Sequence, residues 1–100
     1  MLGDKQQREI FGKYIGSPSN DQLSLYFHLN DDDKSLIETM RRPSTKLGFA
    51  VQLGTVRFLG VFPKDFMEIP LEILQYLAAQ LSIDPNEIYS YTRQATQFQH

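Results

Sequence analysis

Five prolines, at positions 18, 43, 63, 70 and 85, punctuate this chain of 100 residues, and each falls where helix-start or helix-stop signals also cluster. Proline has no N–H to donate and a ring that fixes φ, so it marks helix starts and the residues just past helix ends. The stretches between these marks carry apolar residues at helical spacing. Residues 4–14 are expected to form a first helix, with Ile10, Phe11 and Tyr14 on one face and Gly16-Ser17-Pro18 as its stop. Ser19 with Gln22 is a capping-box pair, in which each side chain satisfies an orphan backbone donor. It opens a short helix carrying Leu23, Tyr26 and Phe27. Asn30 caps a third, with Asp31, Asp32 and Asp33 in the first turn, where the helix dipole favours negative charge. Leu36, Ile37 and Met40 are its expected buried face, and Arg41-Arg42-Pro43 its end.

Ser44 is the expected cap of a helix over 45–59. Phe49, Leu53 and Val56 fall on one side of it, and Leu47, Val51 and Phe58 on another. A helix apolar on two sides is sandwiched between others, which makes this one central. Its β-branched residues leave a strand open for part of the segment. Gly60 and Pro63 stop it. Pro70, at a first helical position, opens a helix with Leu71, Leu74, Leu77, Ala78 and Leu81 along one stripe. Asp84 caps the last helix, with Pro85 at its first position, Glu87 completing the box and Ile83 stapled to Ile88. Ile88, Tyr91, Ala95 and Phe98 share one face, and the pattern runs to His100 without a stop signal. The expected fold is all-α, a compact bundle of five to six short helices around a central buried helix near 45–59. The expected organisation is a single domain, 1–100, cut from a longer protein. There is no internal repeat, low-complexity segment or linker.

Composition removes several function classes. The chain has no cysteine, which excludes disulfides, thiolate nucleophiles and cysteine-based zinc sites. No apolar run approaches the ~20 residues of a membrane span, and the polar residues 1–9 are no signal peptide, so the expectation is a soluble intracellular domain without a membrane partner. The net charge of −2 hides a segregation. Residues 21–38 hold five acids (Asp21, Asp31, Asp32, Asp33, Glu38) against one base, Lys34. Residues 39–64 hold five bases (Arg41, Arg42, Lys46, Arg57, Lys64) and no acid. A local charge of +5 beside one of −4 is the first functional hint, against the plainer reading of two solubilising surfaces.

Catalytic motifs are lacking. The three consecutive aspartates project about 100° apart on a helix and cannot all face one metal ion. They also lack the spacing and the bidentate glutamate of a calcium loop. The two histidines, His28 and His100, accompany no Gly-x-Ser-x-Gly turn. His28, between two helices, is expected to be packed or capping. The glycines form neither a phosphate loop nor a dinucleotide fingerprint.

Two features fit nucleic acid better. Lys46 and Arg57 are close to three turns apart on the central helix and share one edge, roughly 16 Å apart at 1.5 Å per residue. With Arg41 and Arg42 they make a basic ridge for phosphates, unless Arg57 pairs with a carboxylate of the acidic half. On the last helix, Arg93, Gln97 and His100 fall at i, i+4 and i+7, bordered by Tyr89 and Thr96. These side chains are able to bond base edges or phosphates, although a polar helix face is more often simply solvated.

Leu47-Gly48-Phe49-Ala50-Val51-Gln52-Leu53 followed by Arg57-Phe58-Leu59-Gly60-Val61-Phe62 resembles the signature near the N-terminus of transposases of the Tn-three family, the large replicative transposases of bacterial class II transposons. Supporting pieces stand in the same order. They are Leu23-x-x-Tyr26-Phe27-x-Leu29, the acidic stretch with Asp33, Arg41 or Arg42, Ile69-Pro70, Tyr76-Leu77-Ala78-x-Gln80-Leu81, and Arg93-x-x-Thr96-x-x-x-His100. The likeness covers essentially residues 8–100. It implies an N-terminal helical DNA-binding domain, not itself catalytic, whose partners are the double-stranded terminal inverted repeats of the transposon and the rest of the transposase chain. The Asp-Asp-Glu core with its magnesium ions would lie downstream, so the domain implies no cofactor or metal of its own. It implies a bacterial cytoplasmic protein associated with the nucleoid. Carried over by position, the candidate DNA-contacting residues are Arg41, Arg42, Lys46, Gln52, Arg57, Arg93, Thr96, Gln97 and His100. One departure is Gln97, where family members often have an arginine next to the matching threonine. The rival expectation is a protein-interaction domain that packs on the transposase body or a second subunit, which the net negative charge favours.

Overall fold

A computed structural model describes residues 14, 16–63 and 65–98, with the side chains of 67 and 94–98 left aside. Among the described residues there are five α-helices and no strand: α1 Asn20–Tyr26, α2 Asp31–Glu38, α3 Pro43–Leu59, α4 Leu71–Leu81 and α5 Glu87–Phe98, with a single 3-10 turn, Phe66–Glu68, ahead of α4. The helix expected over 4–14 lies outside the described residues except for Tyr14.

The helix starts follow local chemistry. Ser19 Oγ accepts the Gln22 N–H at 3.2 Å while Gln22 Oε1 accepts the Ser19 N–H at 2.9 Å, a complete capping box. Asn30 and Asp33 make a second one, the Asn30 Oδ1 accepting the Asp33 N–H at 2.8 Å and the Asp33 Oδ2 accepting the Asn30 N–H at 3.1 Å. The start of α3 corrects the expected one. Pro43 is its first residue after Arg42 at the cap, and Ser44 is buried inside the first turn. Proline needs no N–H partner there and its φ is preset for a helix, and Arg42 adds no side-chain cap. Pro70 likewise stands one place earlier than expected, at the cap of α4; of the expected stripe Leu71 is exposed, and Ile73 is buried beside Leu74 and Leu77. Ahead of α5, Asp84 Oδ1 accepts the Asn86 N–H at 2.9 Å, and the first bonds are tight i to i−3 links from Glu87 and Ile88.

The ends are equally local. Gly60, at φ 85°, closes α3 by returning its N–H to Val56 O. Ser82 takes the left-handed place after α4 that glycine usually holds, at φ 58°, with the Ile83 N–H reaching back to Ala78 O at 2.9 Å.

The 17-residue α3 packs against all four other helices, as its two apolar sides require. Two glycines let neighbours come close. A Cβ on Gly48 would clash with the ring carbons of Tyr91, and a Cβ on Gly54 with the ring edge of Phe27. Phe27, Leu29, Ile37, Leu47, Val51, Ile73, Leu77 and Ile88 form the dry centre. Tyr14 joins it from the N-terminal segment, stacking on Phe58 at 5.9 Å and sharing a hydrogen bond with the buried Thr55 hydroxyl at 2.5 Å. One expected core residue is elsewhere: Leu36 is 52% exposed, because α2 is short and only Ile37 among its apolar residues is turned fully inward. His28, expected to be packed or capping, is exposed in the loop between α1 and α2 and so is not packed.

Candidate nucleic-acid interface

The basic ridge expected along α3 is divided between two kinds of environment. Arg57 and Lys46 do share one edge of α3, and that edge faces α2. Arg57 makes a two-pronged pair with Asp33, Nη1 to Oδ2 at 2.9 Å and Nη2 to Oδ1 at 2.8 Å. The Asp33 side chain is only 10% exposed and that of Arg57 36%. Lys46 Nζ lies 3.5 Å from Glu38 Oε2, an exposed partner at the other end of α2. The two pairs run in opposite order along the helices, which fixes α2 antiparallel to α3.

The electrostatics of Asp33 follow from its neighbours. The Arg57 guanidinium first, then the Asn30 N–H, hold its carboxyl below the usual range, against the opposing effect of burial. The same pairing holds the Arg57 guanidinium still more firmly protonated. A fork-to-fork pair of this kind is directional as well as strong. It turns Asp33 away from Asp31 and Asp32, which remain exposed. Among the described residues no three His, Cys, Asp or Glu side chains converge as a metal site would need.

Arg41 and Arg42 differ from the other two bases. Both are exposed in the link between α2 and α3, and neither makes a side-chain hydrogen bond or ion pair with a described residue. The crossing of α5 over α3 comes further along α3. Tyr91 of α5 lies on Gly48, and its hydroxyl accepts from Gln52 Nε2 at 2.6 Å. Gly48 follows Arg42 by about 9 Å of helix axis at 1.5 Å per residue. Gln52, a candidate DNA contact, is therefore engaged in joining α3 to α5. Burial against this junction also pushes the Tyr91 hydroxyl pKa upward.

On α5, Ile88 is buried and Tyr91 packs edge-on against Phe66 at 5.2 Å, so this side of the helix faces the body. Arg93 is exposed, with Nη2 at 3.3 Å from Ser90 Oγ. Tyr89 is 48% exposed. The side chains of Thr96 and Gln97, and all of His100, lie outside the described residues. The structure thus brings Arg41, Arg42, Arg93 and Tyr89 to solvent, and commits Arg57, Lys46 and Gln52 to neighbouring helices. Sequence reasoning left out Asn86, exposed on the turn before α5, although its spacing of i, i+3 and i+7 with Tyr89 and Arg93 was open to view.

Residues 4–100 match the family described as Domain of unknown function (DUF4158). The chain belongs to the DUF4158 family. It is 37% identical over 84 residues to the transposase for transposon gamma-delta of Escherichia coli strain K12, an alignment covering 84% of this chain and 8% of that protein. It is 36% identical over 83 residues to the transposase for transposon Tn501 of Pseudomonas aeruginosa, covering 82% and 8%. It is 32% identical over 79 residues to the transposase for transposon Tn1546 of Enterococcus faecium, covering 78% and 8%. These relatives are transposases of Tn-three family transposons, as the resemblance of the motifs implies, and this DUF4158 chain spans about a twelfth of their length. No solved structure matches it. No helix of the described residues is long and apolar enough to cross a membrane.

Residues of the motifs that carry the resemblance, and Gly54 beside them, have structural roles. Gly48 and Gln52 receive Tyr91, and Gly54 receives Phe27. Gln80 Oε1 accepts the Leu29 N–H at 2.8 Å and its Nε2 donates to Phe27 O at 2.9 Å, which holds the α1–α2 loop against α4. Asp33 and Arg57 tie α2 to α3.

Proposed function

We propose that this chain is the DNA-binding module of a bacterial transposase, docking on the terminal inverted repeats of its transposon, and that it performs no chemistry itself. The observation that carries the reading is the exposure of Arg41 and Arg42, two guanidinium groups unpaired among the described residues, in the link that leads into α3. Two successive helices, α4 and α5, are joined by the turn 82–86 and both pack on α3, and we read them as the pair of a helix-turn-helix reader. In that plan the second helix lies in the major groove while residues beside it hold phosphates. Here α5 is the groove helix and Arg41 and Arg42 are the phosphate anchors. Arg57 and Lys46 keep α2 on α3 instead of meeting DNA. The test is a salt titration of duplex binding for the chain and its Arg41→Ala and Arg42→Ala variants. Each variant is expected to weaken binding to every duplex alike and to flatten the salt slope by about one. Slopes equal to that of the unaltered chain would remove the anchors.

The protein-interaction reading has an observation of its own. Phe62 is 67% exposed, and Leu25, Leu36 and Leu71 are also large apolar side chains in solvent. If the domain serves by packing on the transposase body, substitutions at these positions, and not at Arg41 or Arg42, will impair transposition.

A further inference from the structure

Taking the DNA-binding reading as its premise, we propose that Asn86, Tyr89 and Arg93 form a row on α5 that reads base edges of duplex DNA in the major groove. The three positions are i, i+3 and i+7, which at 100° per residue confines them to a sector of about 60°. Asn86 stands on the turn before Glu87, but its carbonyl accepts the Tyr89 N–H at 3.1 Å, so the helical path extends back to it. All three are exposed. Ile88 and Tyr91, on the other side of the helix, are the residues that face the body. The row therefore points outward.

Its chemistry suits bases better than a protein groove. Arginine bonds the O6 and N7 of guanine in a fork, asparagine bonds the N6 and N7 of adenine, and a tyrosine ring can lie against a thymine methyl while its hydroxyl bonds outward. Arg93 is free to do so, because its contact with Ser90 Oγ at 3.3 Å is long and neutral. No acid follows Glu87 in the sequence, so α5 presents only positive formal charge beyond its first turn. The first turns of a groove helix are the part that meets bases, and a helix 10–12 Å across fits a groove about 12 Å wide. Arg41 and Arg42, exposed ahead of α3, are the groups assigned to the phosphates.

The experiment is a binding selection from a library of random duplexes, made with the chain and with Asn86→Ala, Tyr89→Ala, Arg93→Ala and Arg42→Ala variants. Circular dichroism melts confirm folding, since exposed positions of this kind move stability by little. The chain is expected to select a preferred sequence. Each of the three row variants is expected to lose roughly 5- to 150-fold discrimination at one base pair. Arg42→Ala is expected to weaken binding with the preference intact. A preferred sequence unchanged in all three row variants would overturn the row and leave the DNA-binding reading standing. Binding without any preference by the unaltered chain would also overturn the row. No binding to any duplex would overturn both.

Discussion

Asp33 does two jobs with one carboxylate. It completes the cap of α2 through Asn30 and fastens α2 to α3 through Arg57. Its folded pKa is lowered, so the stabilisation it brings is complete above the unfolded value of about 4 and is lost as pH falls through the lower folded value. Asp33→Asn is expected to cost ~1–2 kcal/mol at pH 7, discounted because Arg57 is a third exposed. The difference between variant and parent in urea unfolding should shrink by pH 3, and a constant difference would show that the charge is irrelevant. At Gly48 the limit is space. Gly48→Ala puts a methyl group where the near carbons of the Tyr91 ring stand, and these cannot swing aside as a chain end could. Chemical denaturation should show a loss of ~1–3 kcal/mol, the usual cost of overpacking. In the Gly48→Ala, Tyr91→Ala double variant the loss should fall short of the sum of the two singles, because the clash is counted once.

Between elements, polar side chains decide how the helices meet. Gln80 serves both the Leu29 N–H and the Phe27 carbonyl, backbone groups beside two fully buried side chains. Gln80→Ala leaves them without partners, at a cost of ~1–3 kcal/mol. Hydrogen exchange at the Leu29 amide should quicken more than exchange at amides in the middle of α3, and uniform acceleration would contradict a local role. This is the scale at which the sequence is most and least legible. Caps and stops are local, so Ser19 with Gln22, Asn30 at the start of α2, and Gly60 could be read directly. The central place of α3 followed from its two apolar sides. The partners of Arg57, Gln52 and Gln80 lie 24, 39 and 51 residues away, and helical spacing says nothing about such distances. Arg57 could be placed on an edge with Lys46, but which element that edge faces depends on how α2 folds back. His28 and Leu36 went astray for the same reason, since their exposure is set by the neighbours of a loop and of a short helix.

At the scale of the whole molecule, the segregated charges of the sequence are partly cancelled by folding. The acidic α2 and two of the bases of α3 neutralise each other across a helix pair, and of the described bases in 39–64 Arg41 and Arg42 remain exposed and unpaired. A domain of net charge −2 thereby presents a basic corner at the link between α2 and α3, with Asp31 and Asp32 exposed at the start of α2. Phosphate attraction is local when its range is a Debye length of about 10 Å at 0.1 M salt, so the corner and not the net charge governs docking. Reversal of charge in the double variant Arg41→Glu, Arg42→Glu should abolish duplex binding while the melting temperature stays within a few degrees, since both side chains are exposed and unpaired among the described residues. Unfolding of that variant would instead assign the pair a structural role. The central claim is that the domain reads transposon ends. Fluorescence anisotropy at two salt concentrations, with a duplex carrying the terminal inverted repeat and a scrambled duplex of the same composition, tests it most directly. The account predicts tighter, salt-sensitive binding to the repeat, and equal binding to both duplexes, or binding to neither, would contradict it.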